Sequence, residues 1–307
     1  MRKVKVFAPG SIGNVGSGFD VFGLAIKAVG DILEVKENNT NELKIIGIEG
    51  DNGIPTNPEK NIVTIGVKAM LVALGSKQGY DFLIKKGVLA GSGLGSSGSS
   101  ATAGVFAVNE LLGRPYTREE LLSFAAIGEM QASFIPHYDN VAPSMLGGFT
   151  VVRSDDPLEI LKVDVPGNLY LAMVRPNVMI KTKEAKKMLG TTMSISNAVH
   201  QFGNIAGLAI GMQTNDIPLI GRSVADFLAE PVRSQLIPKY SVAKERALKA
   251  GAAGFNISGS GPAMFAICDG KAVAENVIEV LKEVYKEDDK ANYYITKPDL
   301  LGTRVID

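Results

Sequence analysis

The sequence predicts an α+β fold in two halves, and three observations carry the prediction. Strand-like and helix-like stretches are mixed along all 307 residues without the strict strand–helix–strand repeat of a doubly wound sheet. Glycine is in excess, with 34 residues, where average composition gives about 7%. That excess is placed: windows 10–18, 87–104 and 251–261 hold 4, 6 and 4 of the 34 glycines. The chain is otherwise 46% hydrophobic, which suits a globular molecule with a few special backbone sites.

The elements follow in order. Stretches 3–8, 31–36 and 42–48 read as strands separated by Gly- and Asn-rich turns. Residues 55–61 form a loop, and 62–74 has helical spacing. Residues 80–87 alternate like a strand and lead directly into the second glycine window. Beyond it Ala101, Val105, Val108 and Leu112 keep one face of a helix over 97–112. Thr117 and Glu120 make a capping box for a helix over 118–132. Strands are expected at 148–153 and 169–174. Ser154-Asp155-Asp156-Pro157 between them reads as a soft boundary, dividing the chain into 1–155 and 156–307. The second half carries helices near 182–189, 194–211, 218–229 and 241–250, strands at 255–258 and 263–268, a helix at 271–285 and a strand near 292–297. Residues 286–290, KEDDK, suit a solvated turn.

Composition excludes several classes. With 32 basic and 32 acidic side chains the zero net charge argues against broad binding to nucleic acid or an anionic membrane, which needs a basic surface. No tryptophan and 7% aromatics leave few stacking platforms. Cys268 is the only cysteine, so neither a disulfide framework nor a cysteine metal site is available. The start, MRKVKVFAPG, has basic residues but no apolar signal core, and no apolar run is long enough to span a bilayer. A cytoplasmic protein is expected.

The strongest chemical signal is Ala90-Gly91-Ser92-Gly93-Leu94-Gly95-Ser96-Ser97-Gly98-Ser99-Ser100, entering a helix. Glycines let backbone N–H groups converge, and the helix N-terminus adds the positive end of a dipole. Serine hydroxyls add donors and a possible Mg²⁺ ligand. The stretch reads as an anion cradle, most naturally for phosphate; the bland alternative is a flexible Gly/Ser turn. A Walker A loop needs Gly-Lys-Ser/Thr, and no lysine lies between 87 and 110. Gly93-x-Gly95-x-x-Gly98 fits the dinucleotide pattern only weakly, since the loop is Ser-rich and is not the first strand–helix turn. The third window, with Ser258-Gly259-Ser260-Gly261-Pro262, reads as a tight turn whose amides face a second anion edge. The first, running from Ala8-Pro9-Gly10 to Gly18-Phe19-Asp20, reads as a long loop offering Asn14 and Asp20 to a small polar ligand.

These three windows, in this order, resemble the GHMP kinase superfamily. Gly93-Leu94-Gly95-Ser96-Ser97 is similar to the superfamily mark. Asn14 with Gly18-Phe19-Asp20, His137-Tyr138-Asp139-Asn140-Val141-Ala142-Pro143 and Glu230-Pro231-Val232-Arg233 resemble its homoserine branch. The likeness runs from Val6 to the last strand. It implies two α+β halves with the active site in the cleft between them, a homodimer, and ATP with Mg²⁺. Residues 90–100 would wrap the ATP phosphates, with Ser97 and Glu129 placed for Mg²⁺ and Asn61 near the nucleoside. Homoserine would use Asn14, Asp20, His137, Lys186 and Arg233, Asp20 taking the ammonium and Arg233 the carboxylate. His200 has no such context and reads as structural.

Two departures stand out. Lys186 occupies the place where the branch usually has arginine, keeping the charge without the bidentate fork. Leu89 replaces the proline that usually opens the Gly/Ser motif. Where some relatives use an aspartate base, this chain has Asn140. The expectation is therefore that Asn140 orients the acceptor hydroxyl and that its proton passes to phosphate or water. The competing readings are a kinase of the same superfamily for mevalonate, shikimate or a methylerythritol derivative, and a non-catalytic nucleotide-binding module. Substrates of the first group lack an ammonium for Asp20.

Overall fold

The computed structural model describes residues 1–51, 53–133, 136–180 and 182–307. Strand β1 (Lys3–Gly13) pairs along its length with the 17-residue β2 (Phe22–Asn38). A register shift at Pro9/Gly10 accommodates a proline inside a paired strand. β3 (Leu43–Glu49) lies parallel to β4 (Gly79–Lys85), which pairs with the far half of β2. Helices α1 (Ile62–Ala73), α2 (Ser96–Leu111), α3 (Arg118–Ser133) and α4 (Tyr138–Leu146) pack together, with α2 and α4 against β1 and β2. β5 (Phe149–Asp155) pairs with the near half of β2, and β6 (Leu158–Val163) turns back onto β5.

The chain then crosses to a second sheet with β7 (Leu169–Arg175). Helices α5 (Thr182–Lys187), α6 (Ile195–Thr214), α7 (Ile217–Ser223), the single turn α8 (Glu230–Arg233) and α9 (Tyr240–Lys249) follow. β8 (Gly254–Ile257), β9 (Met264–Asp269), α10 (Lys271–Val284) and β10 (Asn292–Thr296) complete an antiparallel sheet of order β10-β7-β9-β8. Finally β11 (Arg304–Val305) returns to pair with β1, making the first sheet seven-stranded.

Period-two alternation explains how the second sheet is held. On β7, Leu169, Leu171 and Met173 point to one face and Ala172 and Val174 to the other; on β9, Phe265 and Ile267 oppose Met264, Ala266 and Cys268. All of these are buried. The Ala172/Met264 face packs on α9 and α10. The Leu171/Phe265 face joins Ile12, Phe22, Leu24 and Phe149 of the first sheet and Leu208 and Met212 of α6 in one apolar core. Burial pushes the Cys268 thiol up to about 12, so it is a core residue and no nucleophile.

Several elements differ from expectation. β1 reaches well into the first glycine window and β2 starts soon after it, because Ser11 and Ile12 still pair across to Ala25 and Leu24. Helix α4 forms over the His137–Pro143 motif despite Pro143, and β6 and β11 are additional strands. Ser154–Pro157 turns the β5–β6 hairpin, and the crossing between sheets comes later, between 163 and 169. α7 stops at Ser223, where a helix to 229 is expected. Asp226 takes over there, accepting from the N–H groups of Leu228, Ala229 and Glu230. No helix among the described residues is long and apolar enough to cross a membrane.

Candidate active site

The glycine loop leaves β4 and enters α2 through Gly91, Gly93 and Gly95, which alternate in the left-handed region at φ 66°, 80° and 69°. Gly95 is also the N-cap of α2, and no side chain caps that end. A Cβ at Gly95 would lie 2.1 Å from Ser11 Oγ, and one at Gly93 2.7 Å from the Ser258 carbonyl. The loop is thus pressed against both β1 and the third glycine window, and its uncapped helix end faces a cavity of about 530 Å³.

That cavity gathers nearly every residue the sequence nominated. Its wall includes Ala90, Gly91, Ser92, Gly93, Gly95, Ser96, Ser97 and Ser100 of the loop, with Asn61, Glu129, His137, Asn140, Asn14, Asp20, Lys186 and Arg233. Three loop residues are not on the wall. Leu94 is buried in the apolar core between the sheets, Gly98 sits under the Asn140 backbone, and the buried Ser99 donates to the Ala8 carbonyl of β1.

The serine hydroxyls do less ligand-facing work than expected. Ser96 donates to the Val88 carbonyl, Ser92 accepts from Leu94 N–H, and Ser100 donates to Asp31. Ser97 instead donates its hydroxyl to the cavity carboxylate Glu129 Oε1 at 3.0 Å. Glu129 is buried and also accepts from the His137 backbone N–H at 3.3 Å, with His137 Nδ1 3.4 Å from Oε1. Burial opposes a charge on His137, but Glu129 outweighs it by hydrogen bond and charge, with Asp139 and Asp20 adding to the pull, so its pKa is raised. Asn61 caps α1 by accepting from Val63 N–H and donates to the Pro55 carbonyl, so it shapes the wall by fixing the 55–61 loop.

Elsewhere on the wall, Asn14 and Asp20 both adopt left-handed φ, 67° and 54°, which these short polar residues tolerate. Asn14 Oδ1 accepts from Asp20 N–H, and Asn14 Nδ2 donates to the Gly259 carbonyl. Arg233 Nη1 donates to the same carbonyl at 3.0 Å, and its guanidinium lies 5.2 Å from the Phe19 ring centre. The third window therefore serves this part of the wall with a carbonyl. Its amides at 258, 259 and 261 are spent on Ala263, Gly13 and Ser258. His200, read as structural, stacks on Phe227 away from the cavity wall.

Four contributors escaped the sequence reading. Lys86 is on the wall, one residue outside the stretch searched for a lysine, and forms a buried ion pair with Asp31. Asp31 also accepts from the Gly87 and Val88 amides and from Ser100, so the pair fastens the start of the loop to β2. Ser11 donates to Asn140 Oδ1 at 3.0 Å, so the amide's oxygen is engaged and its N–H groups are left as donors on the cavity wall. Asp139 is buried on the cavity wall; Oδ2 accepts from Asn14 N–H, and Oδ1 has no hydrogen-bond partner among the described residues. A distant pair and an ordinary Ser leave no local pattern to read, and Asp139, though inside the 137–143 motif, is marked out only by its burial.

Burial, opposed by His137 and reinforced by Asp20, raises the Asp139 carboxyl from 3.8 to about 6. A raised acid favours the fold while protonated, and that contribution is lost as pH rises through about 6. Asp139→Asn is therefore expected to stabilise the ligand-free chain above pH 7 by at most about 3 kcal/mol, and by almost nothing below pH 4. Urea unfolding of both proteins across that range checks this; a difference that stays constant with pH refutes the buried charge.

Glycine loop, open helix end and a charged acceptor wall in one cavity define a phosphotransferase for a small polar acceptor. The comparisons with known proteins agree. The model of GHMP kinases N terminal domain matches residues 61–148, and that of GHMP kinases C terminal matches 208–287. The chain is 40% identical to the homoserine kinase of Chlorobium phaeobacteroides over the whole of both chains. It is 41% identical to that of Chloroherpeton thalassium over 94% of this chain and 93% of the other. A crystal structure of homoserine kinase from Cytophaga hutchinsonii is 41% identical and superposes with a TM-score of 0.96, covering 100% of this chain and 98% of that one. The chain belongs to the GHMP kinases and, within them, to the homoserine kinase family.

Proposed function

We propose that this protein transfers the γ-phosphoryl group of ATP to the side-chain hydroxyl of L-homoserine, giving O-phospho-L-homoserine and ADP in threonine biosynthesis. The observation that carries the reading is a single cavity in which the glycine loop meets a carboxylate and a guanidinium, Asp20 and Arg233, matched to an amino-acid zwitterion. We place it in the cytoplasm as a homodimer, with no nucleic-acid or membrane partner.

Phosphoryl transfer has a loose transition state, so positioning and charge neutralisation supply most of the catalysis. The loop amides and the α2 N-terminus take the triphosphate, and Ile54, Ile62 and Val63 give the cavity an apolar stretch for the base. No cluster of three or more acidic, His or Cys ligands exists among the described residues. One hydroxyl and one carboxylate, Ser97 and Glu129, suit Mg²⁺, which takes one or two protein oxygens and the rest from phosphate and water. Bound there, the ion would neutralise phosphate charge.

Asp20 holds the homoserine ammonium, Arg233 and Lys186 the carboxylate, and Asn140 N–H groups orient the reacting oxygen. As the O–P bond forms, the hydroxyl proton leaves to a phosphate oxygen or water. A second reading makes Asp139 the acceptor of that proton, because its Oδ1 is buried, unpartnered among the described residues and on the same wall. Asp139→Asn decides: retained turnover supports phosphate or water, and a loss of about 10²-fold or more supports the carboxylate.

ADP release from Mg·ATP across a panel of alcohols tests the assignment. Homoserine is expected to be the preferred acceptor over mevalonate and shikimate, and turnover without homoserine dependence refutes it. In the same assay Asp20→Asn is expected to raise the homoserine KM about tenfold or more while leaving that of ATP within twofold; equal loss of both contradicts an ammonium contact.

A further inference from the structure

Helix α6 has two packed faces and one bare one. Gln201, Leu208 and Met212 point into the molecule, while Asn204, Gly207 and Gly211 lie against α7 and the loop after it. The third face is an apolar stripe at helical spacing: Ile195, Val199, Phe202, Ala206 and Ile210. Its four large members are 84%, 61%, 66% and 55% exposed. The stripe presents on the order of 500 Å² of apolar surface, at the upper end for the largest patch on a monomer. None of the 20 residues of α6 is Asp, Glu, Lys or Arg.

The absence of charge selects the occupant. A helix lying on an anionic membrane carries Lys or Arg along its polar flank, and α6 has none. A charged partner would find nothing to pair with. A second copy of the same helix meets no like charge across a two-fold axis, where each residue must tolerate its own symmetry mate's neighbourhood. Gly203 and Ala206, near the middle of the stripe, let two such helices approach closely while Phe202 and Val199 fill the flanks. About 500 Å² per copy is more than half of one partner's share of a standard interface, so the stripe would form its dry centre.

The buried face of α6 leads to the acceptor side of the cavity. Gln201 Nε2 donates to the Ser17 carbonyl at 2.7 Å and to Asp226 Oδ1 at 2.9 Å, and its Oε1 accepts from Phe227 N–H at 2.7 Å. Ser17 belongs to the bend that presents Asn14 and Asp20, and Asp226 caps the turn that delivers Arg233. One side chain thus ties both halves of the acceptor wall to the helix with the bare stripe.

We infer that the α6 stripe is the contact between two copies of this chain, and that the contact steadies the homoserine side of the site through Gln201. This rests on the homodimer reading above. The test uses the full-length enzyme: sedimentation analysis of the wild type, Phe202→Glu and Val199→Lys, with homoserine and ATP kinetics on each. The expected result is a wild-type dimer and two monomeric variants with unchanged circular dichroism. Their homoserine KM should rise about fivefold or more, the scale of a modest coupling between sites, with the ATP KM within twofold. A monomeric wild type would overturn the homodimer reading and the inference with it. A dimeric wild type with both variants still dimeric would overturn the stripe alone. Monomeric variants with unaltered homoserine KM would refute the link through Gln201.

Discussion

Arg233→Ala is expected to raise the KM for homoserine by one to two decades while leaving the KM for ATP nearly unchanged. The side chain is buried, makes one hydrogen bond to the Gly259 carbonyl, and its Nε has no hydrogen-bond partner among the described residues. Burial lowers the guanidinium pKa, while Asp20, Asp226 and Asp139 pull it back up. A cation with unspent donors on a cavity wall is a receptor for a carboxylate. Removing a charge-assisted hydrogen bond of that kind costs about 1.5–3 kcal/mol. Arg233→Lys should recover only part of the loss, since lysine keeps the charge without the planar fork. Steady-state kinetics with each substrate varied in turn reads the result; a defect confined to ATP would remove Arg233 from the acceptor site.

A larger effect is expected at Ser97 and Glu129. Glu129→Gln preserves shape but removes the carboxylate that Ser97 and His137 both contact, and it should lower kcat by about 10²-fold or more. Both Glu129→Gln and Ser97→Ala should shift the Mg²⁺ concentration for half-maximal rate upward by about tenfold or more, the scale seen even for outer-shell groups around a metal. His137 supplies an independent readout. Its pKa is raised against burial chiefly by Glu129, so in Glu129→Gln its imidazole should titrate at lower pH by NMR. An unchanged Mg²⁺ response in both variants would exclude a metal role for the pair, whatever the loss in rate.

What the sequence made legible is tied to short range and to backbone chemistry. The left-handed glycines at 91, 93 and 95 and the helix after them are local consequences of residue type, and they stand where expected. The strands expected at 169–174 and 263–268 stand as β7 and β9, within a residue at each end. The failures are non-local. No local pattern marked α4, which contains Pro143 and is fixed by its packing against β1, β2 and β5. β6 was hidden because Asp155-Asp156-Pro157 looks the same whether it links domains or turns a hairpin. Within the site, resemblance supplied Asn14, Asp20, His137 and Arg233, and the cavity holds them together. It could not supply the Lys86–Asp31 pair or the Ser11 bond to Asn140, because those partners are 55 and 129 residues apart. Serines show the opposite error: of the five in 92–100, four are committed to the fold through the Val88 and Ala8 carbonyls, the Leu94 amide and Asp31.

The apolar core between the two sheets has a consequence for engineering by recombination. Leu171, Met173, Phe265 and Ile267 interdigitate with Phe22, Leu24 and Phe149, and the chain's last strand closes on its first. A half transplanted from a relative would bring side chains shaped to its own former counterpart, and core mismatches of even a methylene are felt. Chimaeras of this family joined between 163 and 169 should therefore melt below both parents unless the facing residues of β2, β5, β7 and β9 travel together. The heritable unit is the matched pair of sheet faces, so the halves are expected to have diversified in step rather than by exchange.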